Sequence, residues 1–298
     1  MKNINKITVF IGVVVLAAIL FSCEGYEDYT YDYDYTSVYF ASQTPLRTIV
    51  ADGEMTFEFG VTMGGVRQNN DEIVTSFSIE DSLLSLYDAE GTYTLMPEEY
   101  YSLSSDSEFI ISEDEYTGTV TCTINQDLFT ADEMAADETY AIPVKLISTS
   151  ADTILSAKDY SIIVVKYASP YSGTYYSKGV QYTLDSAGVA TDTSAYYDAD
   201  LSQNATKTFT TLGVSSITTT SLGYNIDGDM QLTINDDNTV TVTSDDVTID
   251  SAENCTYDAD ETTFYLNISL TASGTAYSVS DTLILRQYVE DDLRYEEW

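Results

Sequence analysis

The chain carries 49 acidic residues and no histidine. Two carboxylates held about 5–10 Å apart across a cleft could hydrolyse a glycosidic bond. With so many carboxylates chance pairs are expected, and spacing singles none out. The missing histidine removes the commonest general base and transition-metal ligand. Ser-His and Cys-His nucleophiles and histidine-based zinc sites go with it. Asp198-Ala199-Asp200, Asp227-Gly228-Asp229, Asp236-Asp237-Asn238 and Asp258-Ala259-Asp260 are oxygen-rich runs that could face calcium. None has the glycine and glutamate spacing of an EF-hand loop, and turn chemistry explains each of them. No catalytic residue, metal or cofactor is expected. Sugar binding without catalysis needs flat rings beside polar groups. Tyrosine supplies 26 rings against 10 Phe and one Trp. Tyr175, Tyr176, Tyr182, Tyr196 and Tyr197 fall close together and are the candidate ligand contacts. Adjacent tyrosines on a strand point to opposite faces, so at least one of each strand pair should be exposed. Plain sheet packing is the competing explanation, since strands favour tyrosine.

A different chemistry stands at the N-terminus. Lys2 and Lys6 precede an apolar run from Val9 to Phe21, followed by Ser22 and Cys23. This is the order of a secretory signal peptide, and the run is short of the ~20 residues that span a bilayer. Leu20-Phe21-Ser22-Cys23 resembles the lipobox of bacterial lipoproteins. That resemblance implies diacylglycerol on the Cys23 thiol, cleavage before it, and acylation of the new N-terminus with a chain such as palmitate. More than one chain makes such anchoring stable. Glu24-Gly25-Tyr26-Glu27-Asp28 follows, and it resembles the surface-export signal of Bacteroidetes lipoproteins. The implied location is the outer membrane, facing the exterior. Tyrosines at 29, 31, 33 and 35 complete a solvated acidic tether, or a sticky strip.

Eleven basic residues leave a formal charge of −38. Nucleic acid is excluded as a partner, because binding it requires Lys and Arg to neutralise phosphates. Anionic headgroups are repelled too, so the lipid is the expected membrane contact. A neutral or cationic ligand suits this balance, although solubility alone would explain it. Cys122 shares a strand face with Val120 and Ile124 and reads as a small buried residue. Cys255 lies in the other half of the chain, so no bridge is expected.

Short alternating runs bounded by Gly, Asp and Asn dominate the rest. Strands are expected at 37–41, 55–62, 73–79, 118–124, 140–148 and 159–167, with helical turns at 82–87 and 127–137. Turns every 8–12 residues argue for an Ig-like β-sandwich. Pro170 ends strand pairing and marks a boundary. Beyond it, strands are expected at 175–185, 207–212, 230–235, 239–244, 263–272 and 276–287. The expected organisation is all-β: a lipoprotein signal peptide (1–22), a tether (23–36), an Ig-like β-sandwich (37–168) and a second antiparallel β domain, sandwich or barrel (169–298).

Val38-Tyr39-Phe40, Pro97-Glu98-Glu99-Tyr100-Tyr101 and Tyr140-Ala141-Ile142-Pro143-Val144 occur in that order. Together they resemble the N-terminal β-sandwich domain of Bacteroidetes surface lipoproteins encoded with glycan-utilisation machinery. The same domain precedes the catalytic barrel of some N-glycan endoglycosidases. The stretch from Gly173-Thr174-Tyr175 through Asp281-Thr282-Leu283-Ile284-Leu285-Arg286 resembles the domain that usually follows it, and no catalytic barrel is present. The resemblance implies a non-catalytic lipoprotein that binds an oligosaccharide or polysaccharide beside an outer-membrane glycan importer. The alternative is a structural or adhesive surface protein with a protein partner and no sugar site. Asp-Ser/Thr-apolar triplets at Asp81, Asp152, Asp185, Asp250 and Asp281 resemble the O-glycosylation motif of this bacterial group.

Cys23→Ser is expected to abolish incorporation of labelled fatty acid while both β domains stay folded. Deleting 24–28 is expected to leave the lipid and strand the protein on the inner face of the outer membrane. Protease accessibility in intact cells distinguishes the two outcomes. Fatty-acid labelling of Cys23→Ser would contradict the lipobox, and undiminished cleavage of the deletion would contradict the export signal.

Overall fold

A computed structural model describes residues 35–88, 90–288 and 297. The leader, Cys23 and the tether up to residue 34 lie outside the described residues. Eleven strands come first: β1 (Ser37–Phe40), β2 (Leu46–Val50), β3 (Thr56–Gly64), β4 (Ile73–Ile79), β5 (Thr94–Leu95), β6 (Tyr101–Leu103), β7 (Glu108–Ile111), β8 (Thr117–Ile124), β9 (Tyr140–Thr149), β10 (Thr153–Ile154) and β11 (Tyr160–Ala168). They make two sheets, ordered β10-β1-β3-β8-β6 and β2-β11-β9-β4-β7, with β5 added to β9.

Alternation explains how the sheets pack. On β8, Gly118, Val120, Cys122 and Ile124 turn inward, and on β3 so do Phe59, Val61 and Met63. They meet Phe77, Phe109, Ile142, Val144, Ile163 and Val165 in one core. Phe109 sits at its centre, 4.5 Å from the Phe77 ring and 5.7 Å from Phe59. The middle of the second sheet is apolar on both faces. Ala141, Ile162 and Val164 point outward and are covered by Leu83 and Leu84 of helix α1 (Ser82–Tyr87). The helical turn expected at 127–137 is split into α2 (Gln126–Phe129) and a 3₁₀ turn (Glu133–Ala136). Phe129 and Ala135 both enter the core, and Asp132 between them caps the second turn by accepting from Met134 N. Pro143 falls inside β9, at the point where its neighbour on one side changes from β5 to β4. A missing donor is tolerated there.

The remaining strands are β12 (Gly173–Leu184), β13 (Ala190–Tyr196), β14 (Ala205–Gly213), β15 (Ser216–Leu222), β16 (Ile226–Ile234), β17 (Val240–Ser244), β18 (Thr248–Ala252), β19 (Thr256–Asp258), β20 (Thr263–Ala272) and β21 (Thr275–Tyr288). They form one sheet, ordered β17-β16-β15-β14-β12-β21-β20-β18, with β13 on β12 and β19 on β20. The sheet curls until its ends touch. Thr239 bridges Thr256, Val240 N donates to Cys255 O (2.8 Å) and Tyr257 N donates to Asn238 O (2.9 Å). The result is a barrel around Phe209, Ile217, Leu232, Phe264, Leu266 and Leu283. Several of its turns use left-handed backbone, among them Asn238 in the β16–β17 turn and Ser273-Gly274 between β20 and β21, as tight hairpins require. Cys122 and Cys255 are each buried and free.

The segment joining the two halves is pinned. Ser169 N donates to Thr211 Oγ1 (2.9 Å), and Ser169 Oγ to Val214 O (2.7 Å). The barrel's β14–β15 turn is thereby held against the sandwich.

Phe109→Ala is expected to destabilise the sandwich by about 3–5 kcal/mol, the range for emptying a buried aromatic site. Urea unfolding followed by a probe in the sandwich measures this.

Candidate functional site

Three recesses run into one another on the barrel, and all of them include Thr218. The largest, 530 Å³, lies where the barrel meets the sandwich. Tyr288, Gln287, Thr174, Thr210 and Thr211 line it from the barrel, and Lys166, Asp137 and Thr48 from the sandwich. Tyr288 is 45% exposed and offers a ring at this end. Lys166 is held by Glu138 at 2.7 Å. The second recess, 330 Å³, lies between β14 and β15. The third, 250 Å³, extends over β16 and β17 to Asp229, Gln231, Asp245 and Asp246. Period-2 alternation builds this surface. Phe209 enters the core while Thr206, Thr208 and Thr210 face out on β14, as do Thr218 and Thr220 on β15. The outcome is an elongated groove of hydroxyls and carboxylates with one exposed tyrosine at its end.

The second recess has a structural cause. β14 pairs with β12 through residues 205–209, and with β15 only from Thr210 onward. Between 205–209 and 219–222 the strands part, with no backbone pairing across the gap among the described residues. Lys207 reaches this slit from the interior side of β14, and its Nζ donates to Ser221 Oγ at 3.3 Å.

Behind the slit is a polar patch inside the barrel. Asp281 is 1% exposed. Its carboxylate accepts from Ser177 Oγ (3.0 Å) and Gly223 N (3.0 Å). The buried hydroxyl of Tyr196 faces Asp281 without closing a well-formed hydrogen bond. Burial pushes the Asp281 carboxyl above the ordinary range, against the opposing pull of Lys207, Gly223 N and Ser177. Burial likewise lowers Lys207.

The five tyrosines singled out in the sequence do not converge. Tyr175 requires correction. It is fully buried between Phe209 and Phe264 and donates to Tyr171 O (2.7 Å), so it is a core residue with no face for a ligand. Tyr196 also faces inward, stacked on Tyr224 at 5.9 Å. Tyr176 points outward beneath the Arg286 guanidinium, 5.8 Å from its ring. Tyr182 lies on the same outer face six positions along β12, and Tyr197 is 74% exposed beyond β13. Reasoning from tyrosines missed the threonine groove. Its signal was present as Thr206, Thr208 and Thr210 alternating with Lys207 and Phe209. In the glycosylation-like triplet at Asp281, Asp281 and Leu283 face the barrel interior and Thr282 is half-buried on the opposite face.

Two family models match, one for an N-terminal domain at residues 32–153 and its companion for a C-terminal domain at 160–284. The chain belongs to this two-domain family. A structural-genomics protein of unknown function from Bacteroides ovatus has the same fold: TM-score 0.72, 22% identity, covering 86% of this chain and 95% of that one. An auxiliary nutrient binding protein from Bacteroides thetaiotaomicron matches at TM-score 0.44 and 12% identity, over 87% and 96% of the two chains. EndoBT-3987 with Man5GlcNAc product, from the same species, matches at TM-score 0.32 and 22% identity, over 41% of this chain and 28% of its own. No curated protein matches the sequence.

Asp281→Asn tests the interior. Because the folded pKa of Asp281 is raised, the native barrel binds more protons than the unfolded chain just above the ordinary carboxylate pKa. Its contribution to stability is present below that pKa and lost as pH rises. The melting-temperature difference between parent and Asp281→Asn is therefore expected to shift in favour of the variant from about pH 4 to about pH 7. A pH-independent difference would contradict it.

Proposed function

We propose that this protein is a non-catalytic glycan-binding lipoprotein, anchored through Cys23 on the outer membrane, facing the exterior and serving a glycan importer. One observation carries the binding reading: three recesses meet at Thr218 in a groove of hydroxyls and carboxylates with Tyr288 at one end. Such a surface offers donors and acceptors along a length and a ring at one point, the needs of an uncharged polyhydroxylated chain. The family setting supports the same reading, and the lipobox and acidic tether support the anchor.

One feature favours the adhesive alternative. β13 pairs with β12 on one edge, and its other edge is open among the described residues. A partner's strand could add there. Lysine or proline substitutions on the open edge of β13 would remove that partner and leave glycan binding intact.

Calorimetry or affinity gels with soluble polysaccharides and a mannose-rich N-glycan test the main reading. Thr218→Arg is expected to weaken binding at least about tenfold, a loss of about 1.4 kcal/mol, with an unchanged melting temperature. Unaltered binding by Thr218→Arg would remove the groove from the site. Silence across a broad glycan array would remove the glycan reading.

A further inference from the structure

We propose that the slit between β14 and β15 takes the acidic group of a glycan, a uronate carboxylate or a sulfate ester, with Lys207 as its counter-charge. The proposal rests on the glycan reading and names the sugar class of the same groove.

Lys207 differs from the other lysines placed in contacts, and from Arg47, whose guanidinium donates to the neighbouring Leu46 O (3.2 Å), it differs in facing a recess. Lys145 and Lys166 each hold a carboxylate at 2.7 Å. Lys158 lies over the Tyr39 ring and Arg286 over Tyr176. Lys207 is half-buried and has no carboxylate within ion-pair distance among the described residues. Its hydrogen bond is a long one to a neutral hydroxyl, Ser221 Oγ at 3.3 Å. An ammonium has three donors, so two remain to be met in a recess of 330 Å³. Asp281 and Asp227 both act on Lys207 at longer range, and the oxygens of Asp281 already accept from Ser177 and Gly223.

The walls suit an anion carried on a sugar. Thr206, Thr208, Thr218 and Thr220 present neutral hydroxyls. The parted strands add backbone groups that no neighbouring strand pairs among the described residues. Asp229 on β16 also lines the recess and forms no ion pair with Lys207 among the described residues. An anion beside Lys207 would restore the charge that burial leaves poorly compensated, and charge-assisted hydrogen bonds are about twice as strong as neutral ones. The −38 net charge works against polyanions in general. An acidic glycan that binds must therefore be read locally, by a placed cation.

The test is calorimetry on the full mature protein with glycan pairs that differ only in charge. Polygalacturonate against its methyl ester examines carboxylates, and chondroitin sulfate against desulfated chondroitin examines sulfate esters. In at least one pair the acidic form is expected to bind about tenfold more tightly. Lys207→Met is expected to abolish that preference, so that the acidic and neutral forms bind alike. Because Lys207→Met also alters the interior, Thr220→Asp on the exposed wall is the second variant, and it should lose the preference with the fold untouched. Neutral glycans binding as well as or better than acidic ones would overturn the inference and leave the glycan reading standing. A preference that survives both variants would overturn the role of Lys207. No binding of any glycan would overturn both readings.

Discussion

The barrel depends on a change of neighbour along β12. Its first half pairs with β14 and its second half with β13, while β21 follows the whole strand on the other side. Gly179 stands at the change. A Cβ there would lie 2.1 Å from Ser280 O and 2.8 Å from the Tyr196 hydroxyl, so only glycine lets Tyr196 pass over β12. Once β13 occupies that edge, β14 must leave it. The departure of β14 opens the slit at Lys207, and its later pairing with β15 places Thr210 and Thr218 side by side. The groove thus follows from a backbone constraint on the opposite side of the polar patch.

The same change explains a polar patch inside an otherwise apolar barrel. Asp281 lies directly across from Gly179, where the Tyr196 side chain takes the space a Cβ would need. Burying a carboxylate is costly unless hydrogen bonds and a counter-charge compensate it. Ser177, Gly223 and, at longer range, Lys207 do so here. Replacing such a set by apolar side chains often leaves stability unchanged or raised. Its contribution is better understood as fixing geometry. The Gly223 turn is drawn onto the barrel end, Tyr224 N is held by Gln181 Oε1 (2.8 Å), and Tyr224 stacks on Tyr196.

Much of this architecture is written locally. Phe59-Gly60-Val61 and Val120-Thr121-Cys122 alternate cleanly, and Asp236-Asp237-Asn238 is a turn by its chemistry, so these elements were legible. β15 was not, because Ser216-Ile217-Thr218-Thr219-Thr220-Ser221-Leu222 buries a threonine and shows little apolar alternation. β13 is exposed along most of its length and carries no such signal. Barrel closure rests on Thr239 meeting Thr256, a pairing between separate hairpins that no local pattern encodes. The groove failed to stand out for a related reason. Outward threonines on β14 look like any solvated strand face until β15 and the sandwich are set against them. The opposite facing of Tyr175 and Tyr176 was readable from strand geometry, but which of them enters the core depends on register with β21.

The groove as the ligand-contacting surface is tested most directly by amide hydrogen exchange with and without a bound glycan. Protection is expected over 206–221 and at 287–288, where β14, β15 and the junction with the sandwich line the recesses. Protection confined to the β12–β13 arm or to the outer face of the sandwich, with 206–221 unchanged, would contradict it.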